Sequence, residues 1–290
     1  MTNPIYKYIA KKTRKQWKAS DDARDANRTI PDSIEVIKDI SYGPHGKWNL
    51  LDINRPKIST EKLPCIVSFH GGGFFYGTKE TYRFYAADLA QRGFAVINFN
   101  YRLSPENHFP AHLEDCNAVL VWLENNAEAY NIDISRVFFV GDSAGGNLVY
   151  HYSTIVTNPD FQKLFDFKVP SIKPKAVALN CGVYELDLEN DLMRKAYIKN
   201  EKKYAPHIDV KKYVSSDYPP VFIMSAPNDF LLPQMQPMAD FFESKKIPVV
   251  SKVYGTKEDP QAVHVFHINI SLDIAKQCND DECNFFNSIN

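Results

Sequence analysis

The chain has 290 residues, 44% of them hydrophobic and 13% aromatic, which is ample for a large buried core and excludes a disordered chain. Its 34 basic and 35 acidic side chains leave a formal charge of −1, so there is no general attraction to nucleic acid or an anionic membrane surface. No run approaches the ~18 apolar residues of a membrane span, and residues 1–20 are basic and polar without the apolar centre of a secretory signal.

Residues 1 to about 40 are charged, with a moderate amphipathic pattern around Tyr6, Tyr8, Ile9, Trp17 and Ala23. This predicts one or two helices lying over another part of the molecule, with the functional site as the expected partner. In 34–40 and 48–53 apolar and polar residues alternate, as in half-buried strands, and the turn residues 42–47 between them predict a hairpin. A compact buried strand follows at 65–69 and runs directly into His70-Gly71-Gly72-Gly73-Phe74. A helix is predicted over 80–91, stopped by Gly93, then a strand over 94–99 and a long amphipathic helix over 110–130. The strand at 137–140 meets Gly141-Asp142-Ser143-Ala144-Gly145, after which helical spacing runs to about residue 156. Strands at 176–180, 221–225 and 249–254 continue the series, and 269–286 reads as a final helix. Buried strands alternating with helices predict an α/β fold with a mostly parallel sheet covered on both faces. Between Gly182 and Tyr218 the rhythm stops in a charged, tyrosine- and lysine-rich segment. The expected organisation is one domain over 1–290, with a cap contributed by about 1–40 and about 183–218.

The strand–serine–helix junction is a nucleophile-elbow pattern, with glycines two residues either side of Ser143 where strand and helix come too close for a Cβ. A serine hydroxyl needs a base to take its proton, and that base needs a carboxylate to fix its tautomer. With an elbow the chain order is serine, acid, histidine. Outside the elbow helix, His207, His264 and His267 follow Ser143. His207 falls in the inserted segment, where a cap or surface role is its default. His264 and His267 lie beyond the last predicted strand, in the kind of loop where sites of parallel sheets form. One of the two is the expected base; His264, further from the final helix, is better placed, and metal ligation by the pair lacks an evident third ligand. Asp229, in a tight turn after the strand at 221–225, is the expected acid, with Glu258 and Asp259 as rivals and a helix cap as its plain structural role. Backbone N–H groups must also converge on the developing oxyanion. Ala144 offers one and the glycine run the others. The run has neither a G-K-[ST] nor a G-x-G-x-x-G pattern, which argues against a phosphate cradle. The scattered Cys65, Cys116, Cys181, Cys278 and Cys283 suit reduced core thiols in a cytoplasmic protein better than a disulfide framework, although Cys278 and Cys283 are near enough in sequence to pair.

Together, His70-Gly71-Gly72-Gly73-Phe74, Tyr101-Arg102-Leu103-Ser104-Pro105-Glu106 with Phe109-Pro110-Ala111, and Gly141-Asp142-Ser143-Ala144-Gly145-Gly146-Asn147 resemble the hormone-sensitive-lipase-like branch of the α/β-hydrolases, a family of carboxylesterases. The resemblance runs from about residue 48 to the end. It implies a triad of Ser143, His264 and Asp229, oxyanion donors at Gly71, Gly72 and Ala144, and a helical cap. The family histidine has an aromatic residue two places later, as Phe266 is to His264. Arg102 and Glu106 are expected to pair beneath the glycine turn, and Asp142 to hold the elbow together. The chain departs from the family in Val265 after the histidine, in the polar loop 255–263, and in Phe230 after the aspartate. The implied activity is hydrolysis of small carboxylic esters through an acyl-enzyme, with no metal or cofactor. Short acyl groups are expected from Phe74, Phe75 and Tyr76 and from Tyr184, Tyr197 and Tyr204 in the insertion. An amidase such as an aryl-formamidase would use the same apparatus, whereas a non-catalytic receptor on this fold would lose the histidine.

Overall fold

The computed structural model describes residues 4–186 and 192–289. Eight strands form one sheet in the order β1-β2-β4-β3-β5-β6-β7-β8. They are β1 (Ile34–Ser41), β2 (Leu50–Pro56), β3 (Leu63–Phe69), β4 (Ala95–Phe99), β5 (Ile132–Asp142), β6 (Ala176–Asn180), β7 (Val221–Ser225) and β8 (Val249–Val253). Pairing is antiparallel from β1 through β2 to β4 and parallel from β4 to β8. This is the mostly parallel sheet that the alternation of elements predicts, in the α/β-hydrolase fold that the family resemblance implies.

The helices are α1 (Pro4–Asp25), α2 (Arg83–Ala90), α3 (Ala111–Asn126), α4 (Ala144–Thr157), α5 (Pro159–Gln162), α6 (Leu192–Tyr197), α7 (Glu201–Ile208), α8 (Leu232–Ser244) and α9 (Asp273–Ser288). None among the described residues is long and apolar enough to cross a membrane. The strand periodicity of two sorts the core into two layers. Val67, Phe69, Ile97, Phe139 and Ile223 face α3, α4 and α8, while Ile66, Val96, Phe138, Val140 and Phe222 face α2 and α9. A central strand buried on both sides has no solvent face, which is why β4, β6 and β7 read as nearly continuous apolar runs.

Several boundaries shift for local reasons. The chain turns at Thr78–Thr81, where Thr81 N–H donates to Thr78 O at 3.0 Å, so α2 starts three residues later than its periodicity suggests. The long helix tightens into a 3₁₀ turn at Ala127–Tyr130, and α9 begins only at Asp273, after Leu272 in extended geometry. The β1–β2 hairpin carries a bulge between Ile37 and Ile40, with Asp39 at φ 58°. The nearly buried Lys79 holds that bulge to the sheet, its Nζ lying 2.9 Å from Asp39, 2.9 Å from Asp52 and 2.8 Å from Glu80. The five cysteines are free and buried, so Cys278 and Cys283 do not pair and fill the layer around α9 instead.

Candidate active site

Between the end of β5 and the start of α4, Ser143 sits at φ 51° and ψ −116°, a backbone conformation that L-residues rarely adopt. Its neighbours hold it there. Ser143 N–H donates to Asn180 O at the end of β6 (3.0 Å), and its carbonyl accepts from Asn147 N and Val183 N at 3.2 Å each. The close approach behind the turn requires glycine at 145, because a Cβ there would lie 1.9 Å from the Phe69 carbonyl of β3. The side chain is thereby lifted off the sheet.

His264 lies in the loop between β8 and α9, with Nε2 3.1 Å from Ser143 Oγ and Nδ1 2.8 Å from Asp229 Oδ1. The loop that carries Asp229 is laced to the histidine loop. Asn228 N–H donates to Ala262 O at 3.0 Å, and the Asn228 amide reaches the Asp259 carbonyl at 3.0 Å. Burial alone would raise the Asp229 carboxyl, but hydrogen bonds from His264, the Leu231 N–H (2.9 Å) and the Ser225 hydroxyl (2.7 Å) hold it below the ordinary carboxylate range. An ionised carboxylate accepts only, so Nδ1 carries the imidazole proton and Nε2 is left to accept from the serine.

The other candidates go elsewhere. His267 is fully buried edge-on to Tyr85, and burial depresses its imidazole to about 3. His207 Nε2 donates to Leu164 O at 2.8 Å. Asp259 Oδ1 caps its own loop by accepting from Gln261 N at 2.8 Å, and Glu258 is exposed. Cys181, Asp229 and His264 place potential metal-ligand atoms within 4.8 Å of one another, and two of these residues already share the histidine–aspartate hydrogen bond.

The glycine turn departs from expectation at one position. Gly71 N–H donates to the Tyr82 hydroxyl at 2.9 Å, and that hydroxyl donates to Asp142 Oδ2 at 2.7 Å, so the Gly71 amide is engaged away from the serine. Among the described residues, the N–H groups of Gly72, Gly73 and Ala144 donate to nothing. Gly73, which the sequence offered only as part of the glycine run, thus joins Gly72 and Ala144 as an unengaged amide. Gly72 sits at φ +110° with a Cβ position 2.2 Å from the Tyr76 carbonyl, a place only glycine can occupy. Asp142 does brace the elbow, through Tyr82; burial pushes its carboxyl up to about 7.

Two further expectations are corrected. Arg102 pairs with Asp115 and Glu114 (2.9 and 2.8 Å), not with Glu106, because its guanidinium points onto the first turn of α3. Glu106 pairs instead with Arg14 of α1 at 2.7 Å. Tyr184, Tyr197 and Tyr204 serve packing: Tyr184 donates to Leu179 O, Tyr197 stacks on Phe74 at 3.8 Å, and Tyr204 meets Phe109 edge-on. Above Ser143 lies a cavity of about 540 Å³, lined by the glycine turn, Phe75 and Phe230 and by Thr13, Trp17 and Asp21 of α1. The amphipathic pattern near Trp17 signalled that α1 covers something, but only the tertiary arrangement shows that it covers this cavity.

This constellation can be set beside known proteins. The BD-FAE family matches residues 51–242, more than half of the chain. Esterase LipQ of Mycobacterium tuberculosis is 27% identical over 245 residues, 79% of this chain and 57% of LipQ. The probable carboxylic ester hydrolase LipM of the same organism is 28% identical over 246 residues, 79% of this chain and 56% of LipM. The chain therefore spans a little over half the length of these relatives. Esterase B from Lactobacillus rhamnosis superposes with a TM-score of 0.91 at 24% identity, covering 98% of this chain and 96% of that one, which shows the shared fold. By these matches and by its glycine turn and elbow motifs, the chain belongs to the BD-FAE family and to the hormone-sensitive-lipase-like branch of the α/β-hydrolases.

Proposed function

We propose that the protein is a serine carboxylesterase acting on small, short-acyl carboxylic esters through an acyl-enzyme. The observation that carries the reading is the continuous hydrogen-bonded line from Ser143 Oγ through His264 to Asp229, at 3.1 and 2.8 Å. Ser143 Oγ attacks the ester carbonyl carbon while its proton passes to His264 Nε2. The imidazolium so formed faces the ionised Asp229 and returns the proton to the departing alcohol oxygen. Water then attacks the acyl-serine, giving its proton to the same nitrogen, which passes it to Ser143 Oγ as the acyl–oxygen bond breaks and the carboxylic acid leaves. In both halves the N–H groups of Gly72, Gly73 and Ala144 receive the charge on the carbonyl oxygen.

The cavity's volume is that of a single small ligand, and its aromatic wall suits short or compact acyl groups. Of the first 40 residues, α1 covers this cavity and packs against α6, while β1 belongs to the sheet. This supports a single catalytic domain whose cap comes from the N-terminal stretch and from about 183–218, of which residues 187–191 lie outside the described residues. Five free buried thiols fit a reducing, cytoplasmic setting.

Replacing Ser143 by alanine should lower hydrolysis of a p-nitrophenyl butanoate by at least about 10³-fold with the thermal midpoint unchanged. Full activity in that variant would overturn the reading. An acyl-length series from acetate to octanoate tests the short-acyl preference, and a matched anilide tests ester against amide. A tributyrin phosphonate inhibits esterase B, and the same reagent should label Ser143 here.

A further inference from the structure

One guanidinium on α1 reaches into the loop that carries the unengaged amides. Arg14 Nε donates to the Phe75 carbonyl at 2.7 Å, and Nη2 donates to the Ser104 carbonyl at 2.6 Å. Nη1 and Nη2 also take the two carboxylate oxygens of Glu106, at 2.9 and 2.7 Å. Phe75 lies two residues beyond Gly73, in the turn that Gly72 closes by accepting from Phe75 N and Tyr76 N at 3.1 and 2.8 Å. Ser104 is tied to the same turn, its N–H donating to Phe74 O at 2.9 Å. Gly72 and Gly73, at φ +110° and +61°, have little stiffness of their own, so the position of their amides depends on what grips the loop from outside. Arg14 supplies that grip from 61 to 92 residues away in sequence. Its side chain is 28% exposed, and the charge-assisted bonds therefore form in partly dehydrated surroundings.

We propose that Arg14 is a positioning residue for the reaction: it fixes α1, the glycine turn and the 104–106 loop to one another, so that the Gly72 and Gly73 amides stay at the oxyanion and the α1 wall stays over Ser143. The inference rests on the serine-esterase reading. Arg14 itself does not line the cavity; it acts through Phe75 and through α1. Further anchors sit toward the other end of the helix, where Arg24 Nη2 donates to Thr81 O at 3.0 Å and Tyr76 donates to Asp21 at 2.5 Å. Losing Arg14 thus frees the near half of α1 while the helix stays attached. Two effects follow together: poorer oxyanion stabilisation lowers kcat, and a loosened wall raises KM. A lysine at this position has one compact ammonium and cannot reach two carbonyls and a carboxylate in a planar fork.

The test uses the full chain as wild type, Arg14→Ala, Arg14→Lys and Glu106→Ala, with a p-nitrophenyl butanoate as substrate and kcat expressed per site titrated by a phosphonate. Arg14→Ala is expected to lose about ten- to a hundredfold in kcat per titrated site, the scale on which small misplacements act, with KM raised. Arg14→Lys should recover only a minor part of that loss, and Glu106→Ala should show a smaller change in the same direction. The inference is overturned if folded Arg14→Ala keeps the wild-type kcat per titrated site, if lysine restores it fully, or if the loss is only a loss of titratable sites. Should Arg14→Ala fail to fold, Glu106→Ala decides, and an unchanged kcat and KM there overturn the inference. An inactive wild type would count against the esterase reading, not against the role of Arg14.

Discussion

At the residue scale, the site rests on a few polar atoms whose environments differ sharply. Asp229 and Asp142 are both buried, yet one carboxyl is held low by donors while the other is pushed up to about 7. The difference lies in the deeper burial of Asp142 and in the donors. Asp229 collects the His264 ring, the Ser225 hydroxyl and the Leu231 N–H, whereas the side-chain donor to Asp142 is the Tyr82 hydroxyl. Replacing Asp229 by asparagine keeps the shape but presents an amide that can turn its NH₂ toward Nδ1. That favours the tautomer with its proton on Nε2, where it can no longer accept from Ser143. We expect kcat to fall by about 10³- to 10⁴-fold, with KM for a small ester little changed. A pre-steady-state burst at wild-type rate in this variant would contradict the assignment of the acid. The elbow motif and its chain order brought Ser143, Asp229 and His264 into view as candidates, with His264 set above His267 by loop position and by the family resemblance. Gly71 was misjudged for the opposite reason: its amide partner is a hydroxyl on another turn, and nothing local in the sequence announces it.

At the element scale, α9 closes the sheet beneath the elbow and brings in a buried acid. Glu282 is fully buried, its Oε2 accepting from Asn180 Nδ2 at 2.6 Å, and Asn180 is the residue whose backbone carbonyl holds Ser143 N–H. Burial, with the charge of Asp142 nearby, raises the Glu282 carboxyl from 4.5 to about 7. Between those two values the unfolded chain has released the proton and the folded chain has kept it. Folding then binds a proton, and stability falls as pH rises through this window. Glu282→Gln removes the titration while keeping an acceptor for Asn180. The variant should therefore lose less stability than wild type between about pH 5 and 8. Urea midpoints measured at several pH values check this; parallel curves for the two proteins would sink it. The central strands were readable because they are buried on both faces and flanked by turn residues, and the edge strand β1 by its alternation. Helix ends were not, since Thr78–Thr81 and Leu272 leave the helix through backbone turns that apolar spacing does not encode.

At the scale of the whole molecule, the parallel sheet brings Ser143, His264 and Asp229 together from the loops beyond β5, β8 and β7, and α1 adds a wall of the cavity from the far end of the sequence. An amphipathic helix declares in sequence that one face is covered; it does not declare by what. Arg14 and Glu106 are 92 residues apart, and neither differs from an ordinary surface charge until the chain is folded. Trp17 is the clearest case. It is 39% exposed, tilts against Phe75 at 5.2 Å and meets Tyr76 edge-on at 5.5 Å, so that three rings from two distant segments frame one side of the cavity. On the proposed esterase reading, a wall built this way would limit how far an acyl chain extends from Ser143. Trp17→Ala removes the indole from the cavity wall without changing a triad residue. We expect the optimum in a series of p-nitrophenyl esters to move toward longer acyl chains, with kcat/KM for octanoate rising relative to acetate by about tenfold, the value of one or two buried methylenes. An unchanged ratio in a folded variant would mean that the acyl group lies on the other side of the cavity, against Phe230, and that α1 faces the alcohol.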